Sequence, residues 1–235
     1  MPNWCYNDLE VWSDGSTESQ KEMRDFKKSS IIEEKVVEED GNIRNRTKFT
    51  FEGAEPMPST LRITSGGTVD EAITYLKAKD KDYKQLDEYF DYKWVKEDII
   101  NEKDSVKQKR AKLMAYFENK LEVNDVEEGR LAIENLEKYG SKDWYDWSIR
   151  TWGTKWDAGY TTHEDDDEDM CRYSFETAWS PPMGWLQSAT TKWPNLLFKM
   201  RVSEESEAFM GMPVAQGGEV VDNIVDIRYP EPMNS

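Results

Sequence analysis

A chain of 235 residues with a formal net charge of −17 and two cysteines, Cys5 and Cys171, can bury a sizeable core. It is neither a disulfide framework nor a ready binder of phosphate backbones, which a uniformly acidic surface repels. Aromatic residues make up 12%, too many for a disordered chain. No run approaches the ~18 apolar residues of a membrane span, and no basic segment with an apolar core marks a signal peptide. A cytoplasmic protein with no membrane contact is therefore expected.

Cys5 to Trp12 alternates and predicts a half-buried strand, with Cys5, Leu9 and Val11 inward and Asp8 and Glu10 outward. Asp14-Gly15 turns the chain. Thr17 with Gln20 three residues later suits a capping box for a helix to about Lys28, striped by Met23 and Phe26. Ile31–Glu39 and Ile43–Phe51, joined by Asp40-Gly41-Asn42, read as a hairpin with Phe49 and Phe51 facing together. Pro56 and Pro58 end it.

From Thr68 the period changes to about 3.6 through Val69, Ala72, Ile73, Leu76, Tyr83, Leu86, Phe90 and Trp94. A second helix is expected from Ser105 through Leu121. A third, Asn124–Tyr139, has Val126, Ile133 and Leu136 as its stripe and stops at Gly140. Strands are expected at Thr151–Tyr160 and Arg172–Trp179, linked by an acidic loop, His163–Asp169. Ser180 as N-cap and Pro181 behind it start a helix to about Trp193. Leu196, Phe198, Met200 and Val202 alternate as a strand. Ala208–Gln216 and Glu219–Arg228 flank Gly217-Gly218 as a last hairpin, and Tyr229–Ser235 is a tail.

Each end of the chain gives strand, helix, strand. The expected class is α+β: a ferredoxin-like antiparallel sheet with helices on one face, built from residues 1–67 and 141–235 of a single domain. The helical region 68–140 is inserted, and a C-terminal hairpin is appended. The stretch Asp143–Asp157 holds four of the ten tryptophans. Rings that each bury roughly 150–250 Å² suit a core, so these segments are expected to be architecture.

Met1-Pro2-Asn3-Trp4-Cys5-Tyr6-Asn7, Trp144-Tyr145-Asp146-Trp147 leading into Trp152-Gly153-Thr154-Lys155-Trp156-Asp157, and Phe175-Glu176-Thr177-Ala178-Trp179-Ser180-Pro181-Pro182 resemble the YubB ferredoxin-like family. That family comprises small proteins of unknown function carried by phages, prophages and conjugative plasmids. The resemblance covers roughly residues 1–58 and 139–211. Thr151 stands where the family usually has asparagine, and the Asp40 hairpin looks like an elaboration. What the resemblance implies is a fold and a mobile-element setting; it transfers no catalytic residue.

Chemistry has few places to reside. Lys155 and Asp157 flank Trp156 and would share a strand face opposite it. They form an ion pair beside a ring, or a pocket in which Lys155 holds an anion while Trp152, Trp156 or Trp179 stacks on a base. Asn3 and Asn7 beside Trp4 could offer amide contacts to the same ligand, or satisfy backbone groups. His163–Asp169 with Cys171 has metal-ligand residue types but lacks the EF-hand glycine and terminal glutamate, so a solvated loop and no metal are expected. His163 is the only histidine, no nucleophile elbow accompanies it, and no phosphate-binding glycine loop exists. No catalytic residue and no cofactor are expected.

The leading expectation is thus a non-enzymatic accessory protein of a phage or mobile element. It would bind, and inhibit, a host or defence protein with a basic surface, in the manner of counter-defence. Acids on the helices, Asp87, Glu88, Asp91, Glu97 and Asp98, would form the contact. The alternatives are a small-molecule or nucleotide-sequestering protein using the site around Trp152–Asp157, and a nucleic-acid mimic. RNA binding on an open sheet face would need exposed aromatics on central strands in a basic setting, and the charge disfavours direct nucleic-acid binding.

Overall fold

The structure is a computed structural model, and it describes residues 3–37 and 41–227. In chain order the elements are β1 (Trp4–Trp12), α1 (Thr17–Ser30), β2 (Ile31–Val37), β3 (Ile43–Phe49), α2 (Gly67–Lys79), α3 (Lys84–Glu88), α4 (Lys93–Asp98), α5 (Val106–Lys120) and α6 (Val123–Tyr139). There follow α7 (Trp144–Thr151), β4 (Gly159–Asp166), β5 (Met170–Ala178), α8 (Met183–Lys192), β6 (Leu197–Glu204), β7 (Phe209–Gly211), β8 (Val214–Gln216), β9 (Glu219–Val221) and β10 (Val225–Asp226). Asp40 and the tail Tyr229–Ser235 lie outside the described residues. The chain divides into two compact units: one joins the residues up to Met57 with those from Ser148 on, the other is Pro58–Trp147.

The first unit holds the sheet. Its order is β10-β7-β6-β1-β5-β4, with β8 on β6 and β9 on β8. The frame β6-β1-β5-β4 is antiparallel throughout, with α1 following β1 and α8 joining β5 to β6. That is the ferredoxin-like pattern. The frame's second strand is β4, not the Ile31–Phe51 run. β2 and β3 pair only with each other, because alternating Glu33, Lys35, Arg44 and Arg46 give that ribbon no apolar face to bury.

One sheet face packs on α1 and α8. Cys5, Leu9, Val11, Tyr173, Phe175, Phe198, Met200 and Val202 point inward and are buried, as are Met23, Phe26, Trp185, Leu186 and Trp193. Phe26 sits edge-on to Trp193 at 5.1 Å and to Phe198 at 5.7 Å. Each such ring contributes roughly 4–6 kcal/mol of transfer free energy as an upper bound. The opposite face is polar, with charges alternating across strands. Lys199, Glu10 and Arg172 lie in one row, and Arg201, Asp8 and Ser174 in the next. Arg172 pairs with Glu10. Tyr6 and Trp12, 47% and 37% exposed, face outward from β1 on either side of Asp8 and Glu10, so the aromatic side chains of this face stand in a mixed-charge setting and not a basic one.

α1 starts one residue earlier than its sequence suggests. Ser16, in extended backbone, accepts the Ser19 N–H, and Thr17 is already helical. α8 likewise is capped at Pro182 rather than Ser180. The Ser180 hydroxyl instead donates to Gly153 O at 2.6 Å, while Ser180 O accepts from Thr177. Gly217 and Gly218, both in left-handed backbone (φ 62° and 85°), close the β8–β9 hairpin.

Glu204 is a buried carboxylate at the end of β6. The Ser206 hydroxyl, with the Ala208 and Ser206 N–H groups, holds its pKa down to about 2. Asp14 is also held near 2, by Ser19 and Ser16. A depressed carboxyl stabilises the fold fully above its ordinary value, and that contribution is lost as pH falls through the folded value. Tm should therefore fall between pH 4.5 and about 2. Glu204→Gln should make that fall shallower, and identical slopes for the two proteins would contradict the assignment.

The second unit is helical. The stripe expected from Val69 to Trp94 is not one rod: α2 stops at Lys79 and Lys81 adopts φ 70°. Asp80-Lys81-Asp82 offers nothing to bury, so the chain turns. Leu86 and Val95 then join Tyr75, Ala78, Leu113 and Phe117 in a separate core. α5 begins at Ser105 with a complete capping box to Gln108, and α6 ends at left-handed Gly140, φ 68°. The inner face of α6 is Gly129, Ala132 and Asn135, while Leu136 is exposed. A Cβ at Gly129 would lie 2.7 Å from that of Ala72, so α2 and α6 approach too closely for the expected branched stripe. Asn135 ties the end of α6 down through Thr60 and Lys142 O.

Candidate functional site

The tryptophan-rich stretch is not a strand. Asp143 accepts the Tyr145 and Asp146 N–H groups at the start of α7, and the helix runs to Thr151 before a turn leads into β4. The turn is held on all sides. Trp152 is buried, and its indole N–H donates to Glu55 O at 3.0 Å. Trp152 O accepts the Trp185 N–H, Thr154 donates to Ala178 O, and Ser148 donates to Lys155 O. Gly184 lets α8 approach, since a Cβ there would meet Thr151 O at 2.3 Å.

Asp157 points inward. Its carboxylate accepts the Thr50 hydroxyl and the Phe51 N–H, each at 2.7 Å, and Lys48 lies 3.8 Å away. It therefore anchors the base of the β2–β3 hairpin and does not share a face with Lys155. Asn7 is also internal, with its amide donating to Cys5 O, Phe175 O and Thr177. The polar-pocket expectation thus loses Trp152, Asp157 and Asn7 to architecture.

The rest of that set converges at the edge of the sheet. Trp4 lies 6.2 Å from Trp156 and 5.7 Å, edge-on, from Tyr160. The Lys155 ammonium is 4.6 Å from the Trp156 ring and 5.2 Å from that of Trp179. Asn3 meets this group through its backbone: its carbonyl accepts the Trp179 N–H at 2.9 Å. These rings are not core. Tyr160 is 74% exposed, Trp179 46% and Trp156 38%.

Two of them also occupy backbone that side chains avoid. Tyr160 has φ 46° and Trp179 φ 67°, a placement that costs a bulky residue on the order of 1–3 kcal/mol. The other non-glycine residues with positive φ among the described residues, Lys81 and Glu207, are polar. Tyr160 follows Gly159 where the β4–β5 register shifts, and nothing in the sequence marks a left-handed tyrosine. Tyr6, 47% exposed on β1, was likewise legible only as a strand residue.

Three of the five acidic candidates on the helices have a basic neighbour. Asp87 is bound by Arg110 at 2.7 Å, Asp91 lies 3.4 Å from Lys96, and Glu97 is 3.7 Å from Lys93. Glu88 and Asp98 are exposed. Residues 58–147 hold 20 of the 48 acids but 16 of the 31 basic residues, so most of the net charge resides in the sheet unit.

The acidic run is not a loop either. His163 to Asp166 belong to β4, an edge strand on which charge deters pairing with other chains. The His163 ring stacks on Tyr173 at 4.8 Å. Among the described residues no three His, Cys, Asp or Glu side chains converge to hold a metal ion. Burial pushes both thiols, Cys5 and Cys171, up to about 12, so neither is a ready thiolate.

Residues 155–228 match the family model described as the ferredoxin-like domain in Api92-like protein. A crystal structure of protein Api92 from Yersinia pseudotuberculosis is similar over 96% of this chain and 98% of that one, at 12% identity and a TM-score of 0.38. No curated protein matches the chain. The description carried by the match is Api92-like, where the sequence resemblance pointed to YubB proteins. Among the described residues no helix is long and apolar enough to cross a membrane. The segment 155–228 is thus similar to the ferredoxin-like domain of Api92-like proteins.

Proposed function

We propose that this protein works by binding another protein, and that its contact surface is the patch of Trp4, Trp156, Tyr160 and Trp179 around Lys155. The observation that carries this reading is that Tyr160 and Trp179 remain exposed in left-handed backbone. An exposed ring adds little to stability, and a strained one subtracts, so stability gives no reason to keep either. Contiguous exposed aromatics are characteristic of interface centres, where tryptophan and tyrosine dominate the binding energy. The acidic remainder of the unit would steer a basic partner toward the patch. The role we favour is inhibition of a host or defence protein in the cytoplasm, which suits the mobile-element setting that the resemblance implies.

As bait in a lysate at low and moderate salt, the wild-type chain should retain a stoichiometric protein. The double variant Trp156→Ala, Tyr160→Gly should retain about tenfold less or none, which corresponds to a hot-spot loss of about 1.4 kcal/mol or more. Equal capture by both proteins, or no stoichiometric capture by the wild type, would defeat the proposal.

The position of Lys155 between Trp156 and Trp179 favours a second reading, in which an anionic planar ligand stacks there. It predicts a ligand-dependent rise in Tm across a nucleotide panel, following RT ln(1 + [L]/Kd), and its loss in Trp156→Ala.

A further inference from the structure

The aromatic patch has a negative side. Glu176 lies on the outer face of β5, level with Tyr6 on β1 and Gly159 on β4. It is half-buried and makes no hydrogen bond or ion pair among the described residues. Glu205, just after β6, accepts the Trp4 N–H at 2.8 Å, and its own N–H donates to Trp4 O at 2.9 Å. Partial burial and then the Glu205 charge raise the Glu176 carboxyl above its ordinary value. Glu205 is thus fixed on the backbone of Trp4, whose ring Tyr160 meets edge-on, and Glu176 stands on the same outer face opposite Tyr6, two residues along from Trp4. Ring faces are themselves electron-rich, and a site built from these groups disfavours anions.

Resting on the reading of this patch as a protein contact, we infer that it recognises an arginine side chain of the partner. The guanidinium plane would lie on the exposed Tyr160 ring, against the edge of Trp4, with its N–H fork on Glu176 and Glu205. Arginine fits better than lysine for two physical reasons. Its planar, weakly hydrated cation stacks on rings, and its paired donors match carboxylates. Binding also relieves the repulsion between the two glutamates, a gain that a neutral residue cannot supply.

The test uses the full chain and a blocked arginine-bearing peptide with neutral spacers, together with its lysine and citrulline counterparts. Binding is followed by tryptophan fluorescence at two salt concentrations. The arginine peptide should bind about tenfold more tightly than the lysine one, and the citrulline peptide should not bind. Glu176→Gln with Glu205→Gln should weaken the arginine peptide about tenfold. The glutamine oxygen can still accept the Trp4 N–H, so folding is preserved. Asp166→Asn with Glu168→Gln removes the same charge elsewhere and should have a much smaller effect.

Equal losses in the two double variants, or equal affinity for the arginine and lysine peptides, would overturn the inference. The two proposals fail separately. If Tyr160→Gly abolishes partner capture while peptide binding ignores Glu176 and Glu205, the patch reading stands and the arginine inference falls. If Tyr160→Gly leaves capture intact, the patch reading itself falls, and the inference with it.

Discussion

Phe49→Ala should lower the free energy of unfolding by about 3–5 kcal/mol, the range for deleting a buried aromatic ring. Phe49 is 1% exposed. Its ring stacks on Tyr173 at 4.9 Å and Phe175 at 5.1 Å, and meets Trp185 edge-on at 5.5 Å. Within β3 it is the one buried side chain, the residues before it being exposed or half-buried. An isolated two-stranded ribbon is marginal in water, so the β2–β3 hairpin depends on this ring and on the Asp157 bonds beside it. A denaturant titration reads the effect as a lower midpoint. A loss below about 1 kcal/mol would mean that the core relaxes around the missing ring and that the hairpin has other anchors.

Gly184→Ala should cost about 1–3 kcal/mol through overpacking, although it adds one methyl group. The added Cβ would lie 2.3 Å from Thr151 O and 3.0 Å from Thr151 C, both backbone atoms. Neither can rotate away, so α8 or the turn after α7 must shift. That turn positions Lys155 and Trp156, so the same variant should also weaken partner capture. Gly159→Ala is the matched control, because its Cβ would meet Glu176 O at an ordinary 3.6 Å. Thermal melts of the two variants should separate clearly; equal stabilities would contradict the close packing of α8 on the turn.

Much of the fold was legible because burial on one sheet face enforces a period of two. Cys5, Leu9 and Val11, and again Phe198, Met200 and Val202, display the inner face of the sheet in the sequence alone. Gly140 marked the end of α6 for a comparably local reason, its left-handed backbone. Failures arose where the deciding contact was distant in sequence. The glycine that sets the inner face of α6 answers to Ala72 on another helix. The second frame strand is β4 because the earlier strands lack an apolar face.

The candidate site divided along the same line. Indole content pointed to Trp152 and Trp156 alike, yet one is buried against Glu55 O and the other stands beside Trp4. Composition cannot separate them, because a tryptophan suits a core and an interface equally well. Tyr160 was missed since a positive φ depends on the register shift in β4, which leaves no mark on residue type. Net charge likewise says nothing about pairing: Asp87, Asp91 and Glu97 each have a basic neighbour on their own helical unit.

The most direct measurement is the thermal stability of Tyr160→Gly beside its partner capture. Glycine adopts φ 46° without the side-chain penalty, and the ring removed is 74% exposed. Tm should equal or exceed that of the wild-type chain, with capture lost. A Tm lowered as far as in Phe49→Ala would show that the ring belongs to the core and not to a contact surface.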